Sequence, residues 1–439
     1  MRVPAAAAST LVLFGFPELA RGQLSLVEIQ AGTLTTDYYE CLTNHGLGIN
    51  WIDYDNDDWP DIFLINGKGL SPHLYRNNGD GTFTNRDDLL PGLPDVEMTR
   101  SAFGDYDRDG DVDIYIWTDH PAVILSQPNA EDGPLNLLLK NQWMETGEVP
   151  GQPLFTEVAQ PAGVADSAAV PLGPDPGMRA KTGFWFDHDR DGDLDLMVGH
   201  WVPQSGGRPA NQDRLFRNEG DGTFSDVSFS SGFVDTSDTT AWRPALASIG
   251  AHLDDDLWPD IYVVNTVDSL PYHGDQIFRN NGDGTFSDVT ALSPGVGDDC
   301  EAGMGIDVGD LDHDGDWDAY ISDLRTTALD SLPLGNPFYL NNGDGTFQDN
   351  SAPAAGLVGT DSWGVSYFDL DQDGYEDIFL ATMGGAGLGA SFVYRNKKDG
   401  TFQKSPGVGL NLDARGSATA DFDRDGDLDI AQIVQRNNV

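Results

Sequence analysis

Seven copies of one acidic stretch constrain this chain more than any other feature. They read "DYDNDDWPDI" from Asp53, "DYDRDGDVDI" from Asp105, "DHDRDGDLDL" from Asp187, "HLDDDLWPDI" from His252, "DLDHDGDWDA" from Asp310, "DLDQDGYEDI" from Asp369 and "DFDRDGDLDI" from Asp421. Their shared skeleton is D-x-D-x-D-G-x-x-D. At an effective dielectric of about 20, each like-charged pair roughly 4 Å apart costs about 4 kcal/mol, so converging carboxylates need a positive partner among them. Regular recurrence also means that one structural unit is repeated and stacked on its own copies, because a single unit cannot bury its faces alone.

The spacing has a chemical reason. Oxygen ligands at positions one, three and five of a tight loop can converge on one hard cation, and glycine at position six permits the sharp turn. Calcium fits this donor set, since it accepts six to eight oxygens in loose geometry. Magnesium demands a regular octahedron, and transition metals prefer the His or Cys that most copies lack. An EF-hand is excluded, because it needs Glu at position 12, where these copies hold Ile116, Val198, Ile321, Leu380 or Gln432. The closing carboxylate is the ninth residue instead.

The candidate calcium ligands are therefore Asp53, Asp55, Asp57 and Asp61 in the first copy, and Asp105, Asp107, Asp109 and Asp113 in the second. The third copy offers Asp187, Asp189, Asp191 and Asp195, and the fourth Asp254, Asp256 and Asp260. Asp310, Asp312, Asp314 and Asp318 follow, then Asp369, Asp371, Asp373 and Asp377, then Asp421, Asp423, Asp425 and Asp429. The fourth copy departs from the pattern. His252 replaces its first Asp and Leu257 its glycine, so that site is expected to be weak, shifted or empty; Asp58, at the same turn position in the first copy, enters the left-handed region more easily than Leu.

Short β-branched and aromatic runs such as "IYIW" and "IYVV" follow each loop and read as buried strands. Downstream, "LYRNNGDGTF", "LFRNEGDGTF", "IFRNNGDGTF", "YLNNGDGTF" and "VYRNKKDGTF" read as β-hairpins around a tight Asn/Gly/Asp turn. Each repeat thus supplies four strands: one before the acidic loop, one after it, and the hairpin pair. The expected fold class is all-β, a seven-bladed β-propeller with calcium-binding loops between the first and second strands of each blade. The Phe of each "GTF" is expected in the core between blades.

The chain starts "MRVPAAAASTLVLFGFPELARGQ", with Arg2, an apolar stretch from Val3 to Phe16, and the small residues Ala20 and Gly22. Residues 1–22 read as a secretory signal peptide, which leaves 23–439 as the propeller and makes the protein secreted. The segment "LSLVEIQAG" is then available as the outer strand of the last blade. The chain stops ten residues past Asp429, where other copies go on to a hairpin, so the last blade reads as incomplete or truncated. Cys41 and Cys300 permit at most one disulfide, or two buried thiols. No later segment is long and apolar enough to span a bilayer. With 72 acidic and 24 basic residues, the formal charge of -48 repels nucleic acid and anionic membranes and favours cations.

With these motifs the chain resembles the FG-GAP and VCBS repeat family, which includes the propeller of integrin α subunits and the secreted cartilage acidic protein group; the "NNGDGTF" hairpins are similar to bacterial-type VCBS repeat proteins. The resemblance covers nearly all of residues 24–439. It implies an extracellular calcium-binding module for adhesion or recognition of proteins or glycans, and it implies that the strand preceding each loop is innermost. Its start then lies opposite the calcium, where Arg100, Arg179, Lys181, Arg243 and Arg415 form a candidate rim for an anionic ligand, or merely balance local carboxylates. Extra chain such as "HWVPQSGGRPANQDR" would loop beside that rim. Polysaccharide lyases also use propellers of this kind, with His45 and Lys181 or Arg243 as candidate proton-transfer groups. A binding module is preferred, because no nucleophile triad, metalloprotease or phosphate-loop signature appears.

Overall fold

The computed structural model describes residues 9–15, 27–29, 48–65, 71–94, 96–119, 136–165, 180–201, 213–234, 243–266, 274–296, 303–323, 336–350, 355–357, 362–382, 391–405 and 413–435. Among these, every sheet has four strands, and all the pairings are antiparallel. The third copy shows the plan: Ala180–Phe186, the acidic loop, Asp195–His200, then the hairpin of Arg214–Asn218 and Phe224–Asp226. The second strand is buried along its whole length, which is why the residues after each loop are apolar without alternation.

Six sheets follow this plan, each from one continuous repeat. The expectation of seven such blades is corrected to six. The strands of the last acidic copy, Asp413–Ala420 and Asp429–Gln435, are joined instead by Ser9–Gly15 and then Val27–Ile29. Ser9 pairs with Gln435 and Phe14 with Ile430. The apolar run read as the centre of a leader is thus a strand here, since "STLVLFG" suits a sheet as well as a signal peptide. Val27–Ile29, inside the segment read as an outer strand, occupies that outer edge. Cys41 and Cys300 lie outside the described residues.

Two compact units result, one of residues 1–177, 383–391 and 408–439, the other of 178–382 and 392–407. The second unit holds the sheets of copies three to six, whose first strands run beside one another. Its core lies between successive sheets. Phe186, Met197, Leu215, Ile261, Phe278 and Phe286 fill one junction; Tyr262, Val264, Ala319, Ile321, Tyr339 and Phe347 fill the next; Tyr320, Phe338, Ile378, Leu380, Tyr394 and Phe402 fill the third. The first unit repeats the arrangement with Tyr54, Phe63, Ile114 and Leu139 in one cluster, and Ile62, Tyr75, Phe422 and Ala431 in another. The Phe of "GTF" is core, as at Phe286, Phe347 and Phe402.

A polar relay fixes each sheet to its neighbour. The ninth-position Asp, buried at the start of the second strand, accepts two backbone hydrogen bonds at Asp61, Asp113, Asp195, Asp260 and Asp318, while Asp377 accepts Asn396 N–H and Asp429 accepts Phe422 N–H. In the fifth copy Asp318 Oδ1 accepts Asn341 N–H at 3.0 Å and Oδ2 accepts Leu311 N–H at 3.1 Å. The Asn341 amide then donates to Trp317 O at 3.1 Å within its sheet and to Leu253 O at 2.8 Å in the preceding one. Asn280 reaches His188 O, Asn396 reaches Leu311 O, Asn141 reaches Tyr54 O and Asn77 reaches Phe422 O in the same way.

Replacing Asn341 by Ala strands the buried Leu253 carbonyl, which costs about 1–3 kcal/mol. The neighbouring exposed Asn342, bonded to Thr346 within its own turn, is expected to cost less than about 1 kcal/mol on the same change. Urea unfolding of Asn341→Ala and Asn342→Ala measures the contrast; equal losses would remove the relay from the stability of the fold.

Candidate functional site

Each acidic loop connects the first and second strands of its sheet and is wound by its own side chains. Asp187 Oδ2 accepts Gly192 N–H at 2.9 Å, and the same bond from position six to position one recurs at Asp105, Asp310, Asp369 and Asp421. The fifth residue then accepts the N–H of the seventh, as Asp314 does from Asp316 at 3.1 Å. These bonds turn the chain so tightly that position six is left-handed, with φ of 92° at Gly192 and 103° at Gly315. In the first and fourth loops the same place holds Asp58 and Leu257, both at φ 67°.

The winding leaves one set of oxygens unsatisfied. Asp187 Oδ1, Asp189 Oδ1, Asp310 Oδ1, Asp312 Oδ1 and Asp421 Oδ1 are buried without a hydrogen-bond partner, as are Asp55 Oδ1 and Asp107 Oδ1. In three loops the ligand atoms of Asp53, Asp55 and Asp57, of Asp105, Asp107 and Asp113, and of Asp187, Asp189 and Asp191 lie within 4.8 Å of one another. Buried carboxylate oxygens without donors, in an all-oxygen cluster, have the chemistry of a hard-cation cage.

The protonation equilibria reflect the same crowding. Burial, opposed by the backbone donors and reinforced by neighbouring carboxylates, pushes Asp61 and Asp113 up to about 8. Asp260, Asp318, Asp377 and Asp429 rise to about 7, chiefly through burial. Asp55 rises to about 6, again through burial, against the opposing charge of Arg76.

The ninth-position residues read as closing ligands have a prior duty in the backbone relay, yet Asp113 and Asp195 still fall inside the clusters. In the fourth loop Asp254 Oδ2 lies 3.2 Å from Arg279 Nε, His252 is exposed, and Leu257 is 63% exposed. An open cavity of about 430 Å³ there is lined by Asp254, Asp255, Asp256, Arg279, Leu292 and Asp344.

The basic candidates do not share one environment. Lys181 is buried at 1% exposure. Arg243 Nη1 lies 3.8 Å from Asp288 Oδ2, and Arg243 also offsets the charge of Asp213, which burial pushes up to about 6. Arg100 sits opposite Trp117, and desolvation lowers its guanidinium to about 10. Arg415 lies in the strand Asp413–Ala420, while Arg179 and His45 fall outside the described residues.

Two groups of side chains carry weight that sequence reasoning did not assign. The relay Asn residues stand inside "RNNGDGTF", where they read simply as turn formers. The basic residue just before them also acts on the loop: Arg76 pairs with Asp55 and Asp57, Lys140 with Asp107 and Asp109, and Arg395 with Asp371.

A family model described as FG-GAP-like repeat matches residues 53–116, 252–321, 333–380 and 369–431, more than half of the chain, and the protein belongs to that family. Its fold is an all-β β-propeller, with six one-repeat blades. Among solved structures, the chain is similar to an Agrocybe aegerita lectin described as recognising non-reducing terminal N-acetylglucosamine: 18% identity, 91% of this chain and 89% of that chain covered, TM-score 0.47. No curated protein matches the chain. Among the described residues, no helix is long and apolar enough to cross a membrane.

Two outcomes follow from the loops. Carboxylates whose folded pKa is raised by burial to about 7 or 8 favour folding while protonated, and that contribution is lost as pH rises through the folded values. The chelator-treated protein should therefore melt at a lower temperature at about pH 8.5 than at about pH 5.5, and added calcium should reduce or reverse the difference, because a cation favours the ionised carboxylates. A chelated melting temperature independent of pH would contradict this. Leu257→Gly removes a left-handed leucine worth about 1–2 kcal/mol of strain against a glycine entropy cost of about 0.5–1 kcal/mol. Denaturant unfolding should show a gain of about 0.5 kcal/mol.

Proposed function

We propose that the chain is a secreted, calcium-stabilised propeller that acts as a recognition module for an extracellular protein or glycan. The observation that carries the metal reading is the row of buried, unpartnered carboxylate oxygens at positions one and three of the acidic loops, above all at Asp187, Asp189, Asp310 and Asp312. Bound there, calcium supplies the charge that lets several carboxylates stay ionised side by side. The chain's own part is geometric: Asp310 takes the Gly315 N–H and Asp314 takes the Asp316 N–H, which aims the remaining oxygens inward.

Recognition is the use that suits such a frame. Repeated sheets with buried second strands give a rigid support, and "TDHPAVILSQPNAEDGPLN" and "HWVPQSGGRPANQDR" interrupt the repeat where sequence is free to vary. Export rests on Arg2, the apolar run after it, and Ala20 and Gly22. Cleavage after Gly22 would remove Ser9–Gly15 from the sheet of the last copy, so the intact mass of protein recovered from culture medium decides between leader and strand.

An ion held at about 100 times its dissociation constant stabilises by about 2.7 kcal/mol, so the loss of several should lower Tm by on the order of 10 °C. Calorimetry with and without EGTA measures this, and Asp189→Ala or Asp312→Ala should each reproduce part of the drop. Superimposable scans would end the calcium reading. On a glycan array, retention that requires calcium supports the recognition reading, and signals indifferent to EGTA count against a calcium-dependent surface.

A further inference from the structure

The spacing of the acidic loops treats them alike, but the third strands divide them. The residue just before each relay Asn stands at the same register position in the sheets of the first six copies, because the Asn N–H is held by the ninth-position Asp. In the second copy that residue is Lys140, which pairs with Asp107 and lies 3.1 Å from Asp109 Oδ2 and 3.0 Å from Glu145 Oε1. In the first it is Arg76, with Nε 2.7 Å from Asp55 Oδ2 and Nη2 2.9 Å from Asp57 Oδ2. In the fifth it is Leu340, which carries no charge, so Asp310 Oδ1 and Asp312 Oδ1, buried without a donor as Asp55 Oδ1 and Asp107 Oδ1 are, have no cation from the third strand beside them. The third copy has Arg217, but Glu219 draws it aside at 2.7 Å.

We propose that Lys140 and Arg76 are tethered cations that take, in the second and first loops, the place a calcium ion takes in the fifth. The inference rests on the calcium reading above and refines it: calcium dependence is unequal, with the loop at 310–318 requiring the ion and the loops at 105–113 and 53–61 closed by the chain itself. A charge attached one residue from a fixed backbone bond is always present at the loop, whereas a free ion must be recruited and dehydrated. Lys140 also meets three carboxylates, so an entering ion would have to displace it from all of them.

The test counts calcium bound per full-length chain by equilibrium dialysis and atomic emission, in the wild type, Lys140→Met, Asp107→Asn and Asp312→Asn. The expected result is one ion more for Lys140→Met, no change for Asp107→Asn and one ion fewer for Asp312→Asn. An unchanged count in folded Lys140→Met, or the loss of an ion in Asp107→Asn, overturns the proposal while leaving calcium binding in place. Should Lys140→Met not fold, the contrast between Asp107→Asn and Asp312→Asn decides alone. If neither the wild type nor Lys140→Met binds calcium, both readings fall; if only Lys140→Met binds it, the tethered cation stands and the wider calcium reading does not.

Discussion

The buried carboxylate at the ninth position of each repeat is the interaction on which the rest of the structure depends. In the first five copies it joins the acidic loop to the hairpin that follows: one oxygen holds the second residue of the loop and the other holds the relay Asn, as Asp260 does with Leu253 and Asn280. That Asn carries the connection into the preceding sheet. A buried carboxylate with two backbone donors is far less costly than a bare one, and its fixed geometry sets strand register as well as sheet spacing. The apolar clusters supply adhesion between sheets; the relay decides how the sheets align.

Charge balance is the second constraint, and it is met locally. The deficit of basic residues, 24 against 72 acidic, rules out pairing every carboxylate with a side chain. Some loops recruit the third strand, as at Arg76, Lys140 and Arg395, and buried oxygens without donors remain with or without such a cation, at Asp55 and Asp107 as at Asp310 and Asp312. Burial, reinforced by mutual repulsion, raises the proton affinity of the ninth-position Asp at Asp61 and Asp113 as at Asp318 and Asp429. The same groups thus connect metal, pH and stability through one set of carboxylates.

Much of this plan is legible in the residues because it repeats. The acidic skeleton fixes where the loops fall, the β-branched runs after Asp195 and Asp260 fix the buried strands, and "GTF" fixes a core aromatic. Side chains whose roles depend on partners distant in sequence were not legible. Asn341 meets Leu253 across 88 residues, and nothing local distinguishes it from a turn former. Lys181 looks like a surface cation until burial is known. The pairing of Ser9–Gly15 with Asp429–Gln435 spans nearly the whole chain, and its apolar composition is shared by leaders and strands alike.

Near-identical repeats carry a hazard during folding, since any sheet can dock against the wrong copy. The left-handed fourth residue of every loop but the fourth bears on this. Arg424 lies over Trp59, Arg190 over Trp258, His313 against Tyr375, and Asn56 donates to Gly110 O and Asp111. No two of these junctions use the same pair of groups at the same two positions except the Arg–Trp pair, which occurs once in each compact unit. Such individual contacts penalise out-of-order neighbours and give an otherwise uniform array a means of proofreading its own assembly.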